Sequence, residues 1–218
     1  MNIKMILIPI ALSSLLSACA PQPTLPVDVA ATNIDGLQEV QSTYFSAAFV
    51  RPGVDFGNYQ QLLISESELA FRTPDRAKQQ FPLRQEQKDN FRQLLDGRFK
   101  DALGDSATLQ LADSAGPNVL KLQVRVQDII ASVPPRSVSG VSDIALHAVG
   151  EATLVIELSD SESAEVLARV YDRRALEGTA IAQRQGAPIT MWKEVEALCE
   201  HWASTVRARL DVVISGSY

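Results

Sequence analysis

The loop that follows the central apolar segment contains the residue types of a serine hydrolase. Asp143 and His147 lie four positions apart, and Ser137, Ser139 and Ser142 precede them. In such enzymes a histidine takes the proton of a serine hydroxyl while a carboxylate orients the imidazole. Spacing alone does not bring these groups together, and a solvated loop explains the same composition. We therefore expect a loop here and do not predict enzymatic activity.

Other patterns typical of catalytic or metal sites are weak or missing from the sequence. Cys199 and His201 are two residues apart on a predicted helix, so their side chains point in different directions. A zinc site needs three or four converging ligands. The sequence has no phosphate-binding glycine loop, no HExxH and no CxxC pattern. We expect no metal and no cofactor, and we interpret Cys199 as a thiol buried on the apolar face of its helix.

Four side chains are candidates for contact with a partner or ligand. Trp192 and Trp202 belong to the apolar stripe of the last predicted helix. There they either pack against a sheet, which is the favoured interpretation, or line a groove for a hydrophobic ligand. Arg169 and Arg173 lie on the last predicted strand beside Asp172. They either form ion pairs on a solvated face, which is again favoured, or bind a small anionic group such as a lipid headgroup.

The first nineteen residues carry the pattern of a secretory signal. Lys4 precedes a twelve-residue apolar run, Met5 to Leu16. This run is shorter than the roughly 20 residues that a membrane-spanning helix needs. Leu16-Ser17-Ala18-Cys19 then resembles the lipobox of bacterial lipoproteins. The resemblance implies that residues 1–18 are a signal peptide, and that acyl chains such as palmitate on Cys19 anchor the protein. Ala20, in place of aspartate, favours the outer membrane.

Composition and proline placement divide the remaining chain into a tether and one domain. The chain has 218 residues, 46% of them hydrophobic, and a net charge of -6. This is typical of a globular protein and argues against nucleic acid as a partner. Residues 19–42 contain Pro21, Pro23 and Pro26 without a sustained helical or strand period, which predicts a semi-extended tether. Residues 43–218 are predicted to form a single α+β periplasmic domain.

Hydrophobic periodicity predicts the elements of this domain. Residues 83–103 and 191–213 repeat apolar side chains at three- and four-residue spacing, as amphipathic helices do. Strands are predicted at residues 59–65, 107–112, 119–133, 147–159 and 165–176. Alternation in residues 119–133 indicates a sheet covered on one face. At a sheet edge this strand would either accept a strand from a partner or, in the favoured interpretation, use Lys121 and Arg125 to prevent edge-to-edge aggregation. The order of elements predicts a mainly antiparallel sheet of about five strands, with two long helices packed on one face.

Several short motifs resemble one bacterial lipoprotein family. They are Tyr44-Phe45, residues 51–55 (RPGVD), residues 149–152 (VGEA), Trp202-Ala203 and Arg209-Leu210. As a set they are similar to the family catalogued as domain of unknown function 3313, over residues 43–213. The family carries no established activity. The resemblance therefore implies a lipoprotein with a single domain, and it supplies no catalytic residue.

These observations favour a binding or scaffold module of the cell envelope. The membrane is the expected partner of the acyl chains on Cys19, and an envelope protein is the expected partner of the domain. The order of elements is similar to that of periplasmic interaction domains in curli-secretion lipoproteins, although a fold does not determine a function. The alternative is a carrier or sensor of a small hydrophobic or anionic envelope ligand.

Overall fold

The computed structural model describes residues 35–71, 85–129, 131–132, 145–147, 151–175, 189–190 and 192–216. The predicted signal peptide, Cys19 and most of the predicted tether lie outside these residues, as do Asp143 and the three loop serines. In the part of the chain that is described, no helix combines the length and apolar character needed to cross a membrane.

Eight strands form one mixed sheet, and three short strands form a second. The large sheet has the order β1-β2-β10-β9-β6-β3-β5, and β4 also pairs with β6. Its strands are β1 (Gln38–Val40), β2 (Ala47–Val50), β3 (Gln61–Ile64), β4 (Glu68–Phe71), β5 (Gln110–Leu111), β6 (Val119–Ile129), β9 (Glu151–Asp160) and β10 (Val166–Ala175). The small sheet contains β7 (Ala131–Ser132), β8 (Ala145–His147) and β11 (Ile189–Thr190).

The α+β class is confirmed, whereas the predicted sheet of about five mainly antiparallel strands is wrong. The β3 strand pairs in parallel with β5 and β6, and β4 pairs in parallel with the second half of β6. Parallel neighbours need a crossover connection, and the helix between β4 and β6 provides it. The long strand β6 is therefore central, between β9 on one side and β3 and β4 on the other, and not an edge open to a partner.

Two long helices supply most of the remaining core. The first, α1 (Gln85–Gly104), buries a stripe of Phe91, Leu95, Phe99 and Leu103. The second, α2 (Trp192–Ile214), buries Val195, Cys199, Trp202, Val206 and Leu210. Both stripes belong to one hydrophobic cluster with the even-numbered residues 120–126 of β6 and 152–158 of β9. Both helices therefore pack on the same face of the large sheet, which we call the helix face.

A tight turn joins β9 to β10 in the predicted hairpin. The Asp160 carboxylate accepts hydrogen bonds from the backbone N–H of Ser163 (2.8 Å) and of Glu162 (3.1 Å). It also accepts one from the Ser163 hydroxyl at 2.9 Å. Hydrogen bonds from Ser163 are the main reason that the pKa of Asp160 lies below its usual value. The charged form of this side chain thus stabilises the turn that sets the register of β9 and β10.

Candidate functional site

Strand alternation separates the arginines of β10 onto two faces of the sheet. Arg169 and Arg173 pair with Glu157 and Thr153 of β9 on the face away from the helices, which we call the outer face. The next residues in register, Asp172 and Arg174, pair with the buried core positions 154 and 152 on the helix face. Arg169 and Arg173 therefore lie in a different environment from Arg174, because neighbouring residues of a strand point to opposite sides.

The helix face contains a buried ion pair that also binds the indole of α2. Asp172 and Arg174 are 1% and 4% exposed. Oδ2 of Asp172 accepts a hydrogen bond from Arg174 Nε at 2.7 Å and one from Trp202 Nε1 at 2.8 Å. Trp202 is itself 1% exposed. A buried carboxylate requires such donors, so this cluster fixes how α2 lies against β10.

The outer face carries a second cluster of charges, centred on Arg169. Its guanidinium donates to Glu157 Oε2 at 2.9 Å from Nε and 2.6 Å from Nη2. The same Nη2 donates to the Asp35 carboxylate at 2.6 Å. Partial burial opposes the charged form of Arg169, but hydrogen bonds to Glu157 and Asp35 raise the pKa of its guanidinium. Arg169 is therefore a positive charge that holds two acidic side chains, one of them from the N-terminal segment.

The N-terminal segment continues across the outer face next to this cluster. Leu37 is 2% exposed and packs with Ala47, Phe49, Val155 and Tyr171 in a small hydrophobic cluster. The rings of Phe49 and Tyr171 meet edge to face, with centroids 6.1 Å apart. Residues 38–40 then pair with β2 as the edge strand β1. We call residues 35–40 the strap, since they lie against the fold before the boundary predicted at residue 43.

A second arginine holds the strap to the hairpin of β9 and β10. Arg51 Nη2 donates to the carbonyl oxygen of Asp35 at 2.9 Å, and its Nε donates to the carbonyl of Val166 at 2.7 Å. Gly36 has a φ of +70°, in the left-handed region that side chains with a Cβ rarely adopt. In the strap, Asp35 therefore provides a carboxylate, Gly36 allows a bend and Leu37 provides an apolar side chain.

The other residues singled out in the sequence occupy separate places. The backbone N–H of Arg173 donates to Ser46 Oγ at 3.0 Å. Cys199 is a buried free thiol, whereas His201 lies on the exposed side of α2, so the two do not converge. Among the described residues, no group of three His, Cys, Asp or Glu side chains is placed to hold a metal ion. The side chains of Trp192 and His147 lie outside the described residues, and a surface role for Trp192, Arg169 and Arg173 stays a prediction.

Sequence reasoning missed Asp35 and Leu37 of the strap, and Arg51, which binds it. Asp35 and Leu37 fall within the segment predicted to be a tether, and Arg51 is singled out only within the motif of residues 51–55. The contact between Asp35 and Arg169 joins residues 134 positions apart, which no local pattern can indicate. The nearest available signal is Asp35-Gly36-Leu37, where an apolar residue and a glycine follow the prolines.

The fold and these clusters define an α+β domain whose sheet is covered by two helices on one face and crossed by an N-terminal strap on the other. The chain belongs to a family described as protein of unknown function, DUF3313, whose model matches residues 29–206. The match includes the strap and so extends the family resemblance of residues 43–213 toward the N-terminus. No curated protein sequence matches this chain.

Several solved structures are similar to this chain at low sequence identity and low TM-score. A protein of family DUF330 from Xanthomonas campestris is 17% identical, with a TM-score of 0.38 over 77% of this chain and 90% of that one. A candidate lipoprotein from Caulobacter crescentus is 16% identical, with a TM-score of 0.33 over 70% and 93%. A candidate neuraminyllactose-binding hemagglutinin homolog from Helicobacter pylori is 11% identical, with a TM-score of 0.39 over 73% and 89%.

Proposed function

We propose that this protein is a lipid-anchored lipoprotein of the bacterial cell envelope that acts as a binding or scaffold module. The observation that carries the proposal is Leu16-Ser17-Ala18-Cys19 at the end of a twelve-residue apolar run. Acyl chains on Cys19 anchor the domain to the outer membrane on its periplasmic side. A single acyl chain binds a protein to a membrane only marginally, whereas several acyl chains on one cysteine hold the protein there stably.

The shape of the domain supports a role in binding. Two helices cover one face of the large sheet, and the other face carries charged and polar residues such as Arg125, Glu157 and Arg169 beside the strap. A tethered domain with such a face is suited to hold an envelope protein close to the membrane. The same polar face gives the domain several ion pairs, such as Arg125 with Glu68 at 2.7 Å, that a partner can compete with.

The alternative function, a carrier of a small hydrophobic ligand, is not favoured by the described residues. That function predicts a groove lined by Trp192 or Trp202. The side chain of Trp192 lies outside the described residues, and the indole of Trp202 is 1% exposed and donates to the buried Asp172 carboxylate. An indole held in this way forms part of the core. We therefore do not propose a hydrophobic-ligand site at Trp202.

Metabolic labelling with a palmitate analogue, followed by membrane fractionation, tests the anchor. We expect the wild-type chain to be labelled and sedimented with membranes, and the Cys19→Ala chain to lose both properties. Cys199→Ala is the matched control, because it removes the chain's only other cysteine from the buried face of α2. Unchanged labelling of the Cys19→Ala chain contradicts the anchor.

Chemical cross-linking in intact cells tests whether the anchored domain binds an envelope protein. The wild-type chain should yield at least one envelope protein that is enriched over the Cys19→Ala chain, because anchoring raises the local concentration of partners in the same membrane. An equal pattern of cross-links from the two chains contradicts a role that depends on the envelope.

A further inference from the structure

The strap occupies a position that resembles a bound peptide more than a strand of the sheet. Only residues 38–40 pair with β2, all three are exposed, and β1 is the last strand on its side of the sheet. The inner strands β9 and β10, by contrast, pair over nearly their whole length. The strap is thus held by its side chains at least as much as by its backbone.

Three features of the fold receive the strap. Arg169 and Arg51 bind the carboxylate and the carbonyl of Asp35. The cluster of Phe49 and Tyr171 covers Leu37. The free side of β2 then pairs with the next three residues. A basic pair, an apolar socket and a strand edge that an added strand can pair with are the parts from which strand-addition sites for peptides are built, since the edge provides affinity and the pockets provide specificity.

We propose that the strap is the chain's own occupant of a strand-addition site, and that an extended segment of a partner protein replaces it. The partner segment carries an acidic residue, a glycine and a large aliphatic residue, followed by three residues that pair with β2. This chemistry follows from the strap sequence Asp35-Gly36-Leu37 and from the two arginines that face it. The inference deepens the proposed binding function and rests on it for the source of the partner.

The contacts of the strap are of a kind that a competing peptide can replace. The Asp35 carboxylate is 40% exposed, so its ion pair with Arg169 is screened by water and salt. Leu37 makes the main apolar contact, and an incoming leucine or isoleucine supplies the same contact. Exchange therefore leaves the number of buried groups unchanged and needs no rearrangement of the helix face.

Displacement of the strap also lengthens the tether. With the strap in place, the predicted tether comprises residues 19–34, and an extended chain of sixteen residues reaches about 50 Å at ~3.1 Å per residue. After release of the strap, the free chain continues to residue 40, because Phe45 keeps its contact with the core and Ser46 keeps its hydrogen bond with Arg173. An extended chain of that length reaches about 68 Å at the same rise per residue. Partner binding at this site therefore allows the domain to reach farther from its membrane.

A labelled peptide that copies residues 34–42 tests the site on the full-length chain in detergent. The Leu37→Asp chain should bind the peptide, because its own strap no longer fits the socket. The wild-type chain should bind about tenfold more weakly, since apparent affinity falls with the fraction of molecules whose site is open. Val40→Asp is the matched control: it places the same charge on the strap at a side chain that is 42% exposed, and it should bind as the wild type does.

Specificity is checked with altered peptides. Changing Asp35→Asn and Leu37→Ala in the peptide should abolish binding to the Leu37→Asp chain. Equal binding of native and altered peptides, or no binding to a Leu37→Asp chain that retains its circular dichroism spectrum, overturns the proposal. Because the assay uses purified protein and no membrane, its failure leaves the Cys19 anchor untouched, and failure of the labelling experiment leaves this result untouched.

Two further measurements keep the proposal testable if Leu37→Asp impairs folding. Hydrogen exchange on the wild-type chain should show amides of residues 38–40 exchanging much faster than those of β9 and β10. Equal protection means that the strap does not open, which overturns the proposal. Light scattering on the wild-type chain should show a monomer. A dimer that disappears in the Leu37→Asp chain means that the occupant is the strap of a second copy, which likewise overturns a partner peptide.

Discussion

Replacing Trp202 by phenylalanine measures how much the buried Asp172 cluster stabilises the fold. The indole N–H donates to a carboxylate that is 1% exposed, and phenylalanine keeps an aromatic ring but removes this donor. A hydrogen bond to a charged group contributes about 1.5–3 kcal/mol. The smaller ring also leaves unfilled core volume, which adds about 1 kcal/mol. We therefore expect Trp202→Phe to lower the free energy of unfolding by about 3 kcal/mol.

Urea unfolding followed by circular dichroism is the assay, because it does not depend on tryptophan fluorescence. With a slope of about 2 kcal/mol per molar urea, a loss of about 3 kcal/mol moves the midpoint down by about 1.5 M. Phe99→Leu is the matched control, because Phe99 is 1% exposed in the same core cluster. Its replacement also makes a buried side chain smaller, but it removes no hydrogen bond. That control should lower stability by only about 1 kcal/mol.

A double-mutant cycle separates the hydrogen bond from packing. In an Asp172→Leu background, which offers no acceptor for the indole N–H, Trp202→Phe should be less destabilising, with a coupling energy of about 1–3 kcal/mol between the two sites. Additive effects of the two substitutions, or a Trp202→Phe effect no larger than that of Phe99→Leu, would refute the reasoning. In that case the indole contributes only its apolar surface.

Two further predictions concern titrating groups. Hydrogen bonds from Ser163 hold the pKa of Asp160 below its unfolded value of about 4, so the stabilisation from Asp160 is present above that pH and is lost as pH falls through the folded pKa. Asp160→Asn should therefore lower the urea midpoint at pH 7 and have little effect near pH 2. An equal effect at both pH values argues against an electrostatic role. Burial raises the pKa of the Cys199 thiol to about 12, so in a Cys19→Ala chain a thiol reagent should label Cys199 only after unfolding, and rapid labelling of the native chain shows that the α2 face opens.

The long elements could be predicted because their own sequence contains the pattern that packing requires. The helix predicted over residues 191–213 is observed as Trp192–Ile214, with a stripe of apolar residues repeated over six turns. The strand predicted from residue 119 begins there, and its alternation follows the difference between the helix face and the outer face. Length gives these patterns enough repeats to stand out.

The short strands β3 and β5 fall within strands predicted from the sequence, but β1, β2 and β4 could not be predicted because their environment, and not their sequence, makes them strands. In β2, residues 47–49 are all buried, so no polar alternation marks the strand. Phe49 is buried on the outer face because Leu37 of the strap covers it. The parallel pairing of β3 and β4 with β6 likewise depends on where α1 returns the chain, which is a property of the whole fold.

The candidate site was predicted in part, and the missing part was nonlocal. Arg169 was named from its place on a strand, but its partners Glu157 and Asp35 lie on two other segments. The period of two could have assigned Asp172 and Arg174 to the core face, opposite Arg169 and Arg173. Nothing in the local sequence indicates that a segment next to a proline-containing tether completes a hydrophobic cluster on the sheet.

The position of the strap couples partner binding to the length of the tether. The same residues that cover Phe49 and Tyr171 are the last residues of the path from Cys19 to the fold. If a partner segment takes their place, the tether gains length, and by thermodynamic linkage any condition that stretches the tether must favour partner binding to the same degree. A domain held farther from its membrane than about 50 Å, the reach of sixteen extended residues at ~3.1 Å per residue, would therefore present an open site. Partner affinity should then rise when the tether is shortened by deletion within residues 22–30 in anchored protein, and should not change when the same deletion is made in the Cys19→Ala chain.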